Sequence, residues 1–441
     1  MIEYNFLALI ILPFFWFFSL GVIFFSRIKF TENFLSESSK YLSLILSMLA
    51  LTLFLQVWHL SPSHLKFDYP SWIKVGHYEF KIRFIVDLLG GTYALLSTFL
   101  ISTIFRYSRN YLHKEEGYFR FVFLLAVLLF GLMIVSFART LDFLFMGWEL
   151  VGTTSVLLIS YFYSQVQPVR HALKAIISYR LCDMGILAAS AWAHLHLHTT
   201  DFSALPEVLA EHGHHGEFGF LLIGIFVIWG SLAKAGQLPM SSWLPTAMEG
   251  PTPSSAIFYG ALSVHLGPFL LIRFHDYLSH FPSLLWSIGI IGGVSSLYAT
   301  LVGRTRSDAK TMLGYATISQ VGLMYIEIAL GFTNFAMFHM FTHASLRTYQ
   351  FLRSASLISD FVDNPRVVPD VLIQRSLPLE SLFSKNFRRK IYIHALHSFH
   401  LDFMTGRILL GICWPFRAYM KLEDKWMDWD NQLLKKIFGK G

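Results

Sequence analysis

Seven side chains able to hold or pass a proton lie in stretches that are otherwise apolar: Glu149, Lys234, His265, Lys310, His339, His343 and Arg347. An ionised group at mid-bilayer costs roughly 2.5–3.5 kcal/mol on insertion scales, so such groups are rare without a reason. Glu149 stands well inside the apolar run 140–163. It reads as a proton-exchanging carboxylate or as the partner of a structural ion pair. Lys234 precedes Pro239 by five residues, with Gly236 between them and Pro245 soon after. Proline lacks an N–H, and the ring of Pro239 would crowd the carbonyl of Ala235, so the spacing predicts a helix break at Pro239. A break inside hydrocarbon is tolerated only where protein or water satisfies the freed carbonyls, which predicts a hydrated cavity beside the amine. Desolvation disfavours the charged amine and an approaching carboxylate restores it. Glu149 and Lys234 can therefore form a switch in which the separated lysine releases its proton and the paired lysine holds it. A plain helix-packing salt bridge would not require the adjacent breaker.

His339, His343 and Arg347 step by four and share one helix face, as a hydrophilic axis through the membrane would require. A zinc reading of the His-x-x-x-His spacing is weak, because a site needs three protein ligands and no Glu follows His339. Lys310 opens its helix and can also be read as snorkelling to the interface. His265 is either a relay or a hydrogen-bonded neighbour, and Tyr259 reads as a hydrogen-bonding packing residue. Arg180 and Asp183, three apart on one helix, are expected to neutralise each other. The run His194, His196, His198, His212, His214 and His215 flanks an acidic loop and reads as solvated surface.

These groups need a scaffold of membrane helices, and the composition supplies one. The chain is 54% apolar, 17% aromatic and 14% charged, too few charges for a soluble surface on 441 residues. Crossing about 30 Å of hydrocarbon takes roughly 20 helical residues. Eleven spans are expected, at 5–25, 38–57, 84–105, 119–138, 140–163, 169–193, 219–245, 252–273, 283–303, 309–331 and 333–354. The fold class is thus an all-α polytopic membrane bundle of about eleven spanning helices with a broken helix near 234–245. Residues 58–83 alternate with Pro62, Pro70, Trp72, Tyr78 and Phe80, as a β-hairpin cap would. Arg27, Lys29, Arg106, Arg109, Lys114, Arg170, Lys174, Arg304 and Arg306 collect at alternate ends, while no Lys or Arg falls between Arg180 and Lys234. That bias predicts an outside N-terminus and a cytoplasmic C-terminus, with Lys66, Lys74, Lys81 and Arg83 as an exception. The first run is read as a retained helix, not a cleaved signal. The net charge of +7 fits loops facing an anionic leaflet, not nucleic acid, and Cys182 and Cys413 form no metal or disulfide pattern. Four regions follow: 1–83 with the hairpin, 84–355 as the channel core, 356–397 as a cytoplasmic linker and 398–441 as an amphipathic helix.

Longer motifs carry a resemblance. Trp148-Glu149-Leu150-Val151-Gly152, Lys234-Ala235-Gly236-Gln237-Leu238-Pro239, Trp243-Leu244-Pro245 and Ala247 to Pro253 occur in order. Ser307-Asp308-Ala309-Lys310, Tyr315 to Gly322, Phe338-His339 and Thr342-His343-Ala344 follow them. Over roughly 80–355 the chain resembles the antiporter-like subunits of respiratory complex I and the Mrp antiporters. The resemblance implies a proton path through Glu149, Lys234, Lys310, His339, His343, Arg347 and His265. It further implies ion-pair or coupling roles for Asp87, Arg180 and Asp183. Tyr259 and Arg347 stand where complex I subunits have histidine and lysine, and the family's second broken helix and lateral helix are absent. Ser263 to Gly267 and His343 to Arg353 look more like the DabB-type subunits of inorganic-carbon accumulation complexes, whose partner DabA is a large zinc protein similar to β-carbonic anhydrases.

The expectation is therefore a proton-conducting, non-catalytic subunit of the inner membrane that drives a DabA-like soluble partner in uptake and hydration of inorganic carbon. No cofactor is expected in this chain, and zinc is expected in the partner. The rival readings are a proton-pumping subunit of a respiratory or hydrogenase complex, a cation/proton antiporter, and a passive membrane anchor for a soluble enzyme.

Overall fold

The computed structural model describes residues 2–26, 31–60, 65–75, 78–212, 217–355 and 384–401, with a few isolated positions beyond. Cys413, His214, His215, Arg27, Lys29, Pro62, most of the expected 398–441 helix and residues 356–383 of the expected linker lie outside them.

The chain is a helical membrane protein. Helices α1 (Ile2–Phe25) and α2 (Glu32–Leu60) lead to strands β1 (Leu65–Val75) and β2 (Tyr78–Val86). Then come α3 (Leu88–Tyr111), α4 (Tyr118–Phe137), α5 (Leu141–Ile159), α6 (Val166–Leu197), the short α7 (Leu205–His212) and α8 (Glu217–Lys234). After a break and a 3₁₀ turn at Pro245–Glu249, a broken element follows: α9 (Thr252–Ser255), a π-helical turn at Ala256–Ala261 and α10 (Leu262–Arg273). The short α11 (His275–Leu278) precedes three long helices, α12 (Pro282–Gly303), α13 (Ala309–Ala329) and α14 (Thr333–Ser354). Each expected span has a counterpart, and seven of them are apolar and long enough to cross a membrane by composition alone. The others, α6, α8, α13 and α14, carry Asp183, Lys234, Lys310 and the His339–Arg347 face, while Glu149 and His265 lie on two of the seven. Residues 383–441 form a separate unit, whose described helix α15 (Lys385–Leu396) is N-capped by Ser384 and lies inside the stretch read as linker.

The sequence places the start of the third span four residues too early. Phe84, Ile85 and Val86 finish β2 with the alternation of the strand, pairing with Phe67, Lys66 and Leu65. Asp87 then N-caps α3, its carboxylate accepting from the Gly90 N–H at 2.8 Å. The seventh span likewise ends at Lys234, eleven residues before the expected 245.

The hairpin is clamped to the bundle by charge. Arg139, in the α4–α5 junction, reaches Asp201 at 2.6 Å and Asp68 of β1 at 3.2 Å, while Arg83 of β2 contacts the same two carboxylates. Asp201 is 1% exposed, so its charge depends on these guanidinium groups. Backbone bridges Phe84–Ala138 and Thr140–Asp201 extend the attachment. Replacing Arg139 by Met should destabilise the purified chain by about 3 kcal/mol, seen as a lower thermal midpoint, because it uncovers a buried acid. An unchanged midpoint would show the clamp to be idle.

Candidate functional site

The break is made by glycine, upstream of the proline. Gly236 has φ +62°, a left-handed conformation that favours glycine, and it closes α8 with a paired cap. The Gln237 N–H donates to the Leu232 carbonyl at 2.9 Å and the Gly236 N–H to that of Ala233 at 3.0 Å. Pro239 therefore does not break the helix at Ala235 as the spacing suggested; it follows a helix already ended at Lys234. Pro245 begins the 3₁₀ turn. Protein groups satisfy the freed carbonyls: Trp243 Nε1 donates to Ala233 (2.8 Å), the Gln237 amide to Ala235 (3.0 Å) and Tyr325 Oη to Ser231 (3.2 Å).

Lys234, at the tip of α8, is 0% exposed. Where a hydrated cavity was expected beside the amine, protein side chains enclose it. Its amine lies 3.3 Å from both carboxylate oxygens of Asp183 on α6 and stands over the rings of Trp148 (4.6 Å) and Tyr179 (5.2 Å). A Cβ added at Gly152 would lie 3.0 Å from Nζ, so glycine is what lets the amine settle against α5, one turn from Glu149. Glu149 itself is bound by Arg180. The expected Arg180–Asp183 pairing is thus wrong. Three residues apart, the two side chains diverge by about 60° around α6. Arg180 is left 53% exposed on the outer face, whereas Asp183 turns inward to Lys234 and accepts from Trp148 Nε1 at 2.6 Å. Two acids and two bases interlock, Glu149 with Arg180 and Asp183 with Lys234. Glu149 and Lys234 remain within electrostatic range, and Glu149 Oε1 has no hydrogen-bond partner among the described residues.

From this cluster hydroxyl groups continue along α5. Ser155 Oγ lies 3.1 Å from Tyr179 Oη and 3.2 Å from Tyr259 Oη, which bears out the hydrogen-bonding role read for Tyr259. Ser155 and Tyr179 were missed, since a lone hydroxyl in an apolar run carries no signal until its partners are known. Further on, the π turn frees the Ala261 carbonyl to meet His265 Nδ1, and His265 Nε2 lies 3.0 Å from His343 Nδ1. Arg347 Nε donates to His343 Nε2 at 3.1 Å. His339 instead engages Glu327 (2.8 Å) and Gln320 (3.1 Å) on α13. Glu327 was overlooked although it is a lone acid in an apolar helix, the same signal that exposed Glu149.

Lys310 does not join this network. It is half-buried in the first turn of α13, ten residues from Gln320 and thus about 15 Å along the axis. A cleft of about 540 Å³, lined by Ala309, Leu313, Arg347, Gln350 and Arg353, lies between that turn and the end of α14. Asp87 is also remote from the cluster, paired with Arg273. His194, expected in solvent, is mostly buried and lies 3.2 Å from Asp142, which Ser190 and Thr200 also hold. Among the described residues no group of three metal-ligating side chains converges.

The chain matches the family described as NADH:quinone oxidoreductase/Mrp antiporter over residues 138–370, and the N-terminal family of complex I chain 5 over 72–122. It is 30% identical over 309 residues to NADH-quinone oxidoreductase subunit L of Escherichia coli (strain K12), covering 70% of this chain and 50% of that protein. It is 33% identical over 305 residues to NADH-ubiquinone oxidoreductase chain 5 of Dictyostelium citrinum, covering 67% and 46%. The chain therefore spans about half the length of the curated relatives it matches. Its fold resembles a chain of the Mrp complex from Dietzia sp. DQ12-45-1b (TM-score 0.65, 21% identity, 78% of this chain and 37% of that one). A chain of the archaeal membrane-bound sulfane sulfur reductase is similar too (TM-score 0.67, 19% identity, 79% and 70%).

Neutralising Asp183 alone by Asp183→Asn should cost about 3–5 kcal/mol, because it strands a buried ammonium. Adding Lys234→Met should return most of that stability, since the pair is then replaced by neutral groups. Thermal midpoints of the two purified variants check this, and equal midpoints would mean that the lysine draws no support from Asp183.

Proposed function

We propose, from the premise that this chain belongs to the NADH:quinone oxidoreductase/Mrp antiporter membrane family, that it carries protons across the membrane as one subunit of a larger complex. The observation that carries this reading is the fully buried Lys234 at a broken helix tip, touching one acid and one turn from a second. Moving one charge through 100 mV yields about 2.3 kcal/mol, whereas stranding a buried charge costs about 3–5 kcal/mol. One proton cannot simply pull Lys234 away from Asp183. It can drive an exchange in which the proton neutralises Asp183 as that acid gives up the amine and Glu149 takes it up, because neither the ammonium nor Asp183 is then left as an unpaired buried charge. Arg180 supplies the coupling: releasing Glu149 frees that acid for Lys234. The hydroxyls of Tyr179, Ser155 and Tyr259 then lead toward the histidine pair, and His343 and His265 pass the proton on with Arg347 beside them.

The partner surface lies on α6. Leu173, Ile177, Arg180, Met184 and Leu187 fall on one face and are all exposed. A guanidinium facing lipid is costly, so this stripe fits a contact with another membrane subunit. The names of the relatives support a respiratory or Mrp-type complex, with proton pumping as the output. A second reading, coupling to a DabA-like zinc protein for inorganic-carbon uptake across the inner membrane, rests on Tyr259, Arg347 and the Ser263–Gly267 and His343–Arg353 stretches. In both, the hairpin end faces outward and zinc, where needed, belongs to the partner.

Glu149→Gln and Lys234→Ala, made separately in the intact complex and reconstituted into liposomes, should each lower proton uptake at least about tenfold, the usual scale for losing a positioned proton-transfer group. Full transport in both variants would leave only the passive-anchor reading. Copurifying iron–sulfur and quinone-site subunits would identify the respiratory complex. A large zinc protein, with loss of growth at ambient carbon dioxide in both variants, would identify the carbon-uptake complex.

A further inference from the structure

At the hairpin end of the bundle a cavity of about 420 Å³ lies away from the Lys234 cluster. Exposed Lys66, Glu207 and Asp276 stand among its lining residues, and Asp87 and Arg273, both largely buried, face each other across its inner side as an ion pair. Asp87 is fixed as the N-cap of α3. Arg273 also donates to the Ser136 carbonyl at 3.0 Å and lies over the Phe269 ring at 5.3 Å. Its Nε–H has no acceptor among the described residues although the side chain is only 5% exposed. A buried guanidinium donor without an acceptor is costly, so water in the cavity is its natural partner.

The two helices that present the buried histidine pair both end at this cavity. α10 runs from His265 to Arg273, eight residues and about 12 Å along its axis. α14 contributes Thr333 and Met337 to the lining and carries His343 further in. Phe269 and Met340, both 0% exposed, occupy the interval on the two helices. A proton leaving the histidines toward this end, or arriving from it, has a short apolar gap and then a fixed guanidinium in its way.

We propose that this cavity is the outer mouth of the proton route and that the Arg273–Asp87 pair is its gate. This rests on the proton-carrying function inferred above. With the pair intact, the two side chains neutralise each other and close the inner side of the cavity. A proton that reaches the Asp87 carboxylate neutralises it and breaks the ion pair. Arg273 is then free to turn toward Glu207 or Asp276, and loss of the same proton to cavity water restores the pair. The charged groups that line the cavity are Lys66 from β1, Asp87 before α3, Glu207 from α7, Arg273 from α10 and Asp276 from α11. Arg273 and Asp87 are positioning residues in this scheme.

The test uses Met337→Cys in a full chain carrying Cys182→Ala and Cys413→Ala, assembled in its complex and held in right-side-out and inverted vesicles. Membrane-impermeant thiol reagents of equal size, one cationic and one anionic, report the field at the inner end of the cavity. Both reagents should label the introduced thiol slowly and only from the hairpin side, the anionic one no faster than the cationic one, because the lining carries three acids against two bases. Removing the pair in Arg273→Ala/Asp87→Asn should speed labelling by both reagents about tenfold, and proton uptake in liposomes should fall. Arg273→Lys should keep the original slow rate. Should the double variant fail to assemble, the side of labelling still decides, because labelling from the opposite side overturns the gate. An unchanged rate in the double variant also overturns it. Failure of the transport reading is separate: it is recorded by full proton uptake in Glu149→Gln.

Discussion

A lysine ammonium enclosed among helices is the constraint that orders the centre of this protein. Burying such a charge without partners costs several kcal/mol, so everything around Lys234 is arranged to keep it paired. Asp183 holds it, Trp148 and Tyr179 offer their ring faces, and Gly152 opens the space on α5 that the amine occupies. The end of α8 is fixed by the Gly236 cap; the Gln237 amide takes the Ala235 carbonyl, and Trp243 and Tyr325 add second donors to the Ala233 and Ser231 carbonyls. The break is thus closed by protein, and the amine is held in a tight, polar, solvent-shielded socket.

That enclosure decides how charge can move. In a wet cavity an amine could lose its proton to water, and its neighbours would matter little. In a socket shielded from bulk solvent each transfer requires that another charge move at the same time. The doubled pair of Glu149 with Arg180 and Asp183 with Lys234 fits this, because Lys234 has a second acid, Glu149, within electrostatic range. The position of Arg180 extends the consequence outward. Since it is half in the cluster and half on the apolar outer face of α6, whatever binds that face alters how firmly Glu149 is held. Under the proposed function, partner binding and proton exchange would then act on the same ion pair, with no long mechanical linkage between them.

Much of this was legible before any coordinates. Helix positions followed from runs of apolar residues, the hairpin from alternation at 58–83, and Glu149 and Lys234 from the cost of charge in oil. What failed has a common cause. The Arg180–Asp183 pairing was inferred from spacing on one helix, but sixty degrees of rotation separates an outward-facing side chain from a core-facing one, and only the packing of α5 and α8 against α6 reveals which is which. The break was assigned to Pro239 because proline is the stronger breaker in general, yet Gly236 comes first along the chain and a left-handed cap stops a helix as surely. Lys310 was placed with the histidines by family likeness, and helix geometry sets it about 15 Å from Gln320.

The hydroxyl contacts of Ser155, Tyr179 and Tyr259 show what sequence cannot supply. Each residue is ordinary in a membrane helix, and their meaning comes from three helical elements meeting at one oxygen. The π turn at Ala256–Ala261 plays a similar part. By adding a residue to one turn it shifts the register of α10 relative to α9, and it leaves the Ala261 carbonyl free to orient the imidazole of His265. With one ring nitrogen so engaged, the other is left to face His343, and the tautomer of one histidine becomes tied to that of the next.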